Sequence, residues 1–186
     1  MNSALRSAIL FLSLTLAACN AGGFGASADN PYAPSGSSNK QAVNGLEVGD
    51  RLMEAGEFDL ALDSYIRAAT AQGLTADVLT SLGSVNLALG RLGQAEKLFQ
   101  QSLDKDEKRS DTWNNLGVVF MERGKYSEAE QIFRKAYALD DGQSDSIRDN
   151  LRLALAKMEN PSYDDENSEY KLVRRGSGDY VIRTTP

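Results

Sequence analysis

Cys19 is the single cysteine of this 186-residue chain. It has no partner for an internal disulfide, so its chemistry is that of one thiol. The chain has no histidine, which removes the commonest general base and the commonest metal ligand together. Ser-His-Asp and Cys-His arrangements are therefore impossible. Carboxylates are plentiful, but most fall where paired helices face water, and a charge run there is usually a solvated surface. Asp164-Asp165-Glu166 lacks the ligand spacing of a Ca²⁺ loop and reads as a solvated linker. Gly22-Gly23-Phe24-Gly25 has no following Lys-Ser/Thr and is not a phosphate loop. The formal charge of −6, from 20 basic and 26 acidic side chains, argues against a nucleic-acid partner, which needs a concentrated basic face. The expectation is no enzyme, no cofactor, no metal and no small-molecule substrate.

What precedes Cys19 suggests its role. Residues 1–18 carry one charge, Arg6, and then the apolar run Ala8–Leu16. The run has the form of a signal peptide and is too short to span a bilayer. Its end, Leu16-Ala17-Ala18-Cys19, resembles the bacterial lipobox. That resemblance implies cleavage before Cys19 and acylation of its thiol and new amino group. Two or more acyl chains hold a protein firmly at a membrane, whereas one binds marginally. The rival cut, at Ala26-Ser27-Ala28, lies ten residues beyond the apolar run and would release a soluble periplasmic protein. Cleavage before Cys19 removes only Arg6 among the charges and leaves −7. Asn20, rather than aspartate, follows the cysteine, which the resemblance associates with the periplasmic face of the outer membrane. From Asn20 to Gln41 glycine, serine, proline and asparagine dominate. This is a flexible linker with a reach of about 25 Å.

The elements beyond the linker follow a period of 34 residues. Gly49, Gly83 and Gly117 form one set, Gly56, Gly90 and Gly124 a second, and Ala61, Ala95 and Ala129 a third. Tyr65, Phe99 and Phe133 follow four residues after each alanine. A period of this length predicts an all-α, helix–turn–helix solenoid. Its frames are 42–75, 76–109 and 110–143. In the third, Trp113, Leu116 and Phe120 make the buried stripe of one short helix, and Ala129, Ile132, Phe133 and Ala136 that of the next. Gly56, Gly90 and Gly124 stand where a left-handed cap should end each first helix. Small residues at Gly117 and Ala129 let the two helices approach closely. Thr75 and Ser110 are expected N-caps. Gly45 and Gly49 each cost the first helix roughly 1 kcal/mol relative to alanine, so it should be the weakest or start late. Residues 144–159 predict a capping helix with Ile147, Leu151, Ala154, Leu155 and Met158 inward and Lys157 largely off the stripe.

The pattern Trp113, Leu116, Gly117, Phe120, Gly124, Tyr126, Ala129, Phe133, Ala136 closely resembles the tetratricopeptide repeat (TPR). The second frame departs from it with Leu79 for tryptophan, Asn86 for a large apolar residue and Ser102 for alanine. The first has Gly45 at the tryptophan position, and none keeps the usual proline near its end. The resemblance implies that the first helix of each repeat lines a concave partner-binding groove. Its lining would be Leu46, Asp50, Met53 and Glu54, then Asp77, Thr80, Ser84, Leu87 and Ala88, then Asp111, Asn114, Val118, Met121 and Glu122. About a third of these should instead pack between neighbouring helices. The lining is apolar with acidic edges and holds no lysine or arginine, so it should not clamp a free C-terminal carboxylate. It suits an apolar helix face or an extended peptide.

Residues 160–186 form the tail. Two β-prone runs flank Gly176-Ser177-Gly178, and three readings stand open: a hairpin packed on the array, a strand added to a partner's sheet, or a disordered end. Lipobox, short tether, three repeats, capping helix and the Leu172–Ile182 stretch together resemble the TadD family of TPR lipoproteins from tight-adherence (Flp) pilus systems. That resemblance implies a pilotin-like assembly factor whose partner is a secretin or another pilus or secretion component. The alternative is a TPR lipoprotein that regulates cell-wall synthases or hydrolases, or recruits proteases.

Overall fold

The computed structural model describes residues 44–160, 169–175 and 179–185. The expected signal peptide, Cys19, the expected linker and the acidic triplet lie outside them. The described elements belong to one compact unit, Ala42–Pro186. Seven helices come first: α1 (Gly45–Glu54), α2 (Phe58–Gln72), α3 (Ala76–Ala88), α4 (Leu92–Lys105), α5 (Ser110–Glu122), α6 (Tyr126–Leu139) and α7 (Asp145–Glu159). Strands β1 (Glu169–Arg175) and β2 (Asp179–Thr185) follow and pair antiparallel. Helices pack as hairpins, α1 on α2, α3 on α4 and α5 on α6, and successive hairpins stack through α2 on α3 and α4 on α5. Helix α7 covers α6, and β2 lies against α5 and α7. This is a TPR-like solenoid with a β-hairpin packed on it.

The 34-residue period has a steric origin. Tyr65, Phe99 and Phe133 are wholly buried, and each ring lies on the glycine sixteen positions earlier. A β-carbon on Gly83 or Gly117 would sit 2.5 Å from the facing ring, well inside contact distance. Each glycine is thus a socket for an aromatic knob. Burial of each ring contributes roughly 1.5–3 kcal/mol. Gly45 does the same against backbone: its β-carbon would meet the Ser64 carbonyl oxygen at 2.7 Å. The glycine that weakens α1 locally is what lets α1 lie on α2. Helix α1 begins at Gly45, capped by Asn44, and has 10 residues against 13 in α3 and in α5.

Each hairpin turns through the same cap. Gly56, Gly90 and Gly124 have φ of 77°, 69° and 70°, the left-handed region that favours glycine. The amide after each glycine bonds back five residues: Glu57 to the Leu52 carbonyl, Arg91 to Asn86 and Lys125 to Phe120, at 2.8–2.9 Å. This pairing satisfies carbonyls that a helix end leaves open. Thr75 caps α3 through a bond from the Val78 amide, and Ser144 caps α7 through one from Ile147. Ser110 does not cap. It is the first residue of α5, Arg109 holds the cap position, and no side chain bonds there.

The departures in the second repeat compensate one another. Ser102 hydrogen-bonds Thr80 at 2.8 Å and donates to the Ala76 carbonyl, while Thr80 also bonds Thr112 at 2.8 Å. Three buried hydroxyls thereby satisfy one another between α3, α4 and α5. Asn86 donates to the Leu82 carbonyl of its own helix, 2.7 Å away. In α7 the stripe differs from expectation at its end. Lys157 is buried and Met158 exposed. The Lys157 ammonium lies 6.0 Å from the centre of the Tyr126 ring at the start of α6, so an aromatic face accompanies its burial.

Candidate functional site

Three asparagines on two helices define the site. Asn114 and Asn115 are adjacent on α5, Asn150 lies on α7, and none is exposed at all. A buried amide is costly unless its donors and acceptor are paired. Here the partners are the main chain of β2. The Tyr180 carbonyl accepts from Asn114 Nδ2 at 2.9 Å and from Asn150 Nδ2 at 2.7 Å. The Tyr180 amide donates to Asn115 Oδ1 at 3.1 Å, and the Ile182 amide to Asn150 Oδ1 at 3.0 Å. Asn150 Nδ2 also donates to Asn114 Oδ1, which locks the two amides together. In an antiparallel pair, alternate residues point their main-chain groups away from the partner strand. Tyr180 and Ile182 do so, and the asparagines stand where a third strand would be.

Side chains fix the register. Tyr180 is buried, and its hydroxyl donates to the Ser84 carbonyl on α3 at 3.2 Å. Ser84 Oγ faces Asn115 Nδ2 at 3.4 Å. Burial pushes the Tyr180 hydroxyl well above its ordinary pKa, so it remains a donor. Across the hairpin, Arg174 pairs with Tyr180 in register and reaches α1. Its guanidinium donates to Asp50 Oδ1 at 3.0 Å and to the Asp50 carbonyl at 3.2 Å. Asp50 also accepts from the buried Tyr65 hydroxyl at 2.8 Å. Tyr65 therefore both fills the Gly49 socket and aims the carboxylate that holds the hairpin.

One group works against this docking. Asp179 begins β2, and its Oδ1 is buried without a hydrogen-bond partner among the described residues. Burial, then repulsion from Asp111 and Asp140, pushes its carboxyl up to about 6, against a smaller opposing pull from the Ser144 hydroxyl.

The groove-lining candidates divide. Asp50, Ser84 and Asn114 contact the hairpin directly. Leu46, Asp77 and Asp111 line a cleft of about 210 Å³ with Thr80, Arg109 and Arg174. Met53, Glu54 and Ala88 line a larger cleft, about 730 Å³, whose other wall is β1 from Lys171 to Arg174. Leu87 and Val118 are buried in the hydrophobic core, as is Met121, and Glu122 is exposed at the end of α5. Thr80 serves the hydroxyl network between helices. The acid edge acquires basic partners: Asp50 binds Arg174, while Asp77 and Asp111 both bind Arg109, the latter at 2.9 Å. Neither arginine occupies a counted groove position. Sequence reasoning did not single out Asn115, Asn150, Arg174 or Tyr180. An asparagine inside the Ile147–Leu151–Ala154 stripe of α7 was the available signal.

Among the described residues, no helix is long and apolar enough to cross a membrane, and no group of three acidic or thiol side chains could hold a metal. What the asparagine set bonds is the main chain of an extended segment, here the chain's own β2.

Comparison with known proteins agrees with the geometry. Residues 74–142, in the second and third repeats, match the family described as tetratricopeptide repeat. No curated protein matches the chain. Among solved structures, the Sgt2 TPR domain from Aspergillus fumigatus superposes with a TM-score of 0.59 at 20% identity, covering 71% of this chain and 88% of that one. The first TPR of Spaghetti (RPAP3), bound to the HSP90 peptide SRMEEVD, gives 0.57 at 17% identity, covering 62% and 90%. MamA gives 0.55 at 20% identity, covering 62% and 67%. At these identities the likeness is one of fold.

Proposed function

We propose that this protein is a lipid-anchored TPR scaffold of the bacterial envelope that binds other proteins through its concave face, acting as a pilotin-like assembly factor for Flp pilus or secretin machinery. TPR repeats mediate protein–protein interaction, and proteins built from them are typically non-enzymatic adaptors. The observation that carries the binding role is the asparagine set of α5 and α7, each member of which bonds the main chain of an extended segment. The Spaghetti domain was solved with a peptide rich in acidic residues at its end, SRMEEVD. The acid-edged lining here suits a different ligand, and its basic partners are already engaged. The anchoring part rests on Leu16-Ala17-Ala18-Cys19 after an apolar run, and the pilus part on the order of lipobox, linker, repeats and tail.

Two experiments test the parts separately. Cys19→Ala should move the protein from the membrane to the soluble periplasmic fraction; unchanged fractionation would end the anchoring proposal. Deletion of the gene should leave pili unassembled and reduce secretin multimers. Normal piliation with normal multimers would end the assembly proposal, and co-purification with cell-wall enzymes instead would favour a regulator.

A further inference from the structure

The groove holds a segment of its own chain, and the manner of holding is that of a ligand site. The three asparagines make no demand on side-chain identity; they read the N–H and C=O groups of one edge of a strand. Any extended segment can satisfy them, whereas a helix, whose main chain is already paired, cannot. Specificity comes from two further contacts. The slot under Ser84 takes an aromatic ring and gives its hydroxyl an acceptor, and Asp50, oriented by Tyr65, takes a cation beside it. The site thus describes a chemistry: a strand with a tyrosine, β-branched residues after it, and a basic residue across from it or nearby.

The resident fills this site imperfectly. Its Asp179 is half-buried beside Asp111 and Asp140 with one oxygen unpaired. An incoming strand without a carboxylate there makes the same main-chain bonds and escapes that repulsion. The resident's advantage is its tether. Residues 161–168 join it to α7, and a short link of this kind gives an effective concentration in the millimolar range. A two-stranded hairpin is marginal alone, so the order of β1 and β2 depends on the groove.

We propose that the C-terminal hairpin is a resident ligand of the groove, exchanged for a partner's extended segment that carries a tyrosine followed by β-branched residues in place of Tyr180-Val181-Ile182. The hairpin keeps the buried asparagines paired and the groove closed to other chains until such a segment arrives. This rests on reading the array as a protein-binding scaffold and is independent of where the protein is anchored.

The test uses the full chain in detergent and a fluorescein-labelled synthetic peptide of residues 171–183, read by fluorescence anisotropy. Arg174→Glu weakens the resident at the Asp50 contact, and should tighten peptide binding at least about tenfold over the unaltered chain, as expected on losing a charge-assisted pair. Adding Asn150→Ala should abolish that gain. A peptide with phenylalanine at the position of Tyr180 should bind about three- to tenfold more weakly. Tyr180→Ala is a second way to unseat the resident; if it melts the array by circular dichroism, Arg174→Glu decides. Equal peptide affinity in the unaltered and Arg174→Glu chains, or binding indifferent to Asn150→Ala, overturns the proposal. A concentration-dependent dimer of Arg174→Glu that resists competing peptide assigns the exchange to a second copy and overturns the partner assignment. Because the readout is peptide binding alone, these outcomes differ from failure of membrane fractionation or piliation.

Discussion

Replacing Asp179 by asparagine should tighten the hairpin on the array at neutral pH and leave it unchanged in acid. The carboxyl has a pKa of about 6 when docked, against an ordinary value of 3.8. A raised carboxyl pKa means that the docked state binds the proton more tightly than the free hairpin. Below the ordinary value both states are protonated and no penalty exists. The penalty grows as pH rises from 3.8 to about 6 and is constant above. The difference corresponds to at most about 3 kcal/mol. Asp179 is partly exposed, so screening reduces this to about 1–2 kcal/mol. The charged groups that face it, Asp111 and Asp140, share its sign, and Ser144 offers one hydroxyl. Amide hydrogen exchange reads the effect at two sites, the Tyr180 and Ile182 amides that bond Asn115 and Asn150. At pH 7.5 the Asp179→Asn chain should show protection factors about tenfold higher at both, since about 1.4 kcal/mol is a factor of ten. Near pH 4 the two proteins should converge. Equal protection at pH 7.5, or less in the variant, would refute the reasoning that a half-buried carboxylate with one oxygen unpaired opposes docking.

Other perturbations test the array and the groove separately. Gly117→Ala places a β-carbon 2.5 Å from the Phe133 ring and should lower stability by about 1–3 kcal/mol or more, seen as a lower thermal midpoint. Thr75→Ala should cost about 1 kcal/mol by loss of the α3 cap, whereas Ser110→Ala, with no capping bond to lose, should leave the midpoint within about 0.5 kcal/mol of the unaltered protein. Asn150→Ala leaves the Ile182 amide without its acceptor and removes one of two donors to the Tyr180 carbonyl. It should abolish protection at both amides while the helical circular-dichroism signal stays close to that of the unaltered chain.

Much of the array was legible because its rule is local and repeated. A glycine on a first helix and an aromatic sixteen residues later meet in every repeat, so three copies announce one contact. The caps at Gly56, Gly90 and Gly124 are legible for the same reason. Ser110 was misread because serine before an apolar stripe has the composition of a cap, while the helix incorporates it by one residue. The α7 stripe failed at its end because a lysine can be buried when its ammonium finds an aromatic face. A hairpin packed on the array was one of the tail's open readings and is what the structure shows, but its seat in the groove was not legible. Asn150 lies beyond the third frame, so no repeat position drew attention to it, and its partners are main-chain atoms that every sequence possesses. Likewise the acidic lining suggested an unpaired edge only while Arg174, 124 residues from Asp50, was counted as tail.

Site-specific photo-crosslinking in intact cells tests the central claim most directly. Glu54 lines the cleft between α1 and β1, and Glu128 is an exposed control on α6. A photoreactive residue at position 54 should capture a partner protein through an extended, tyrosine-bearing segment mapped by mass spectrometry, and the peptide of residues 171–183 should compete it away in isolated envelopes. Capture from position 128 alone, with none from position 54, would contradict binding through the concave groove.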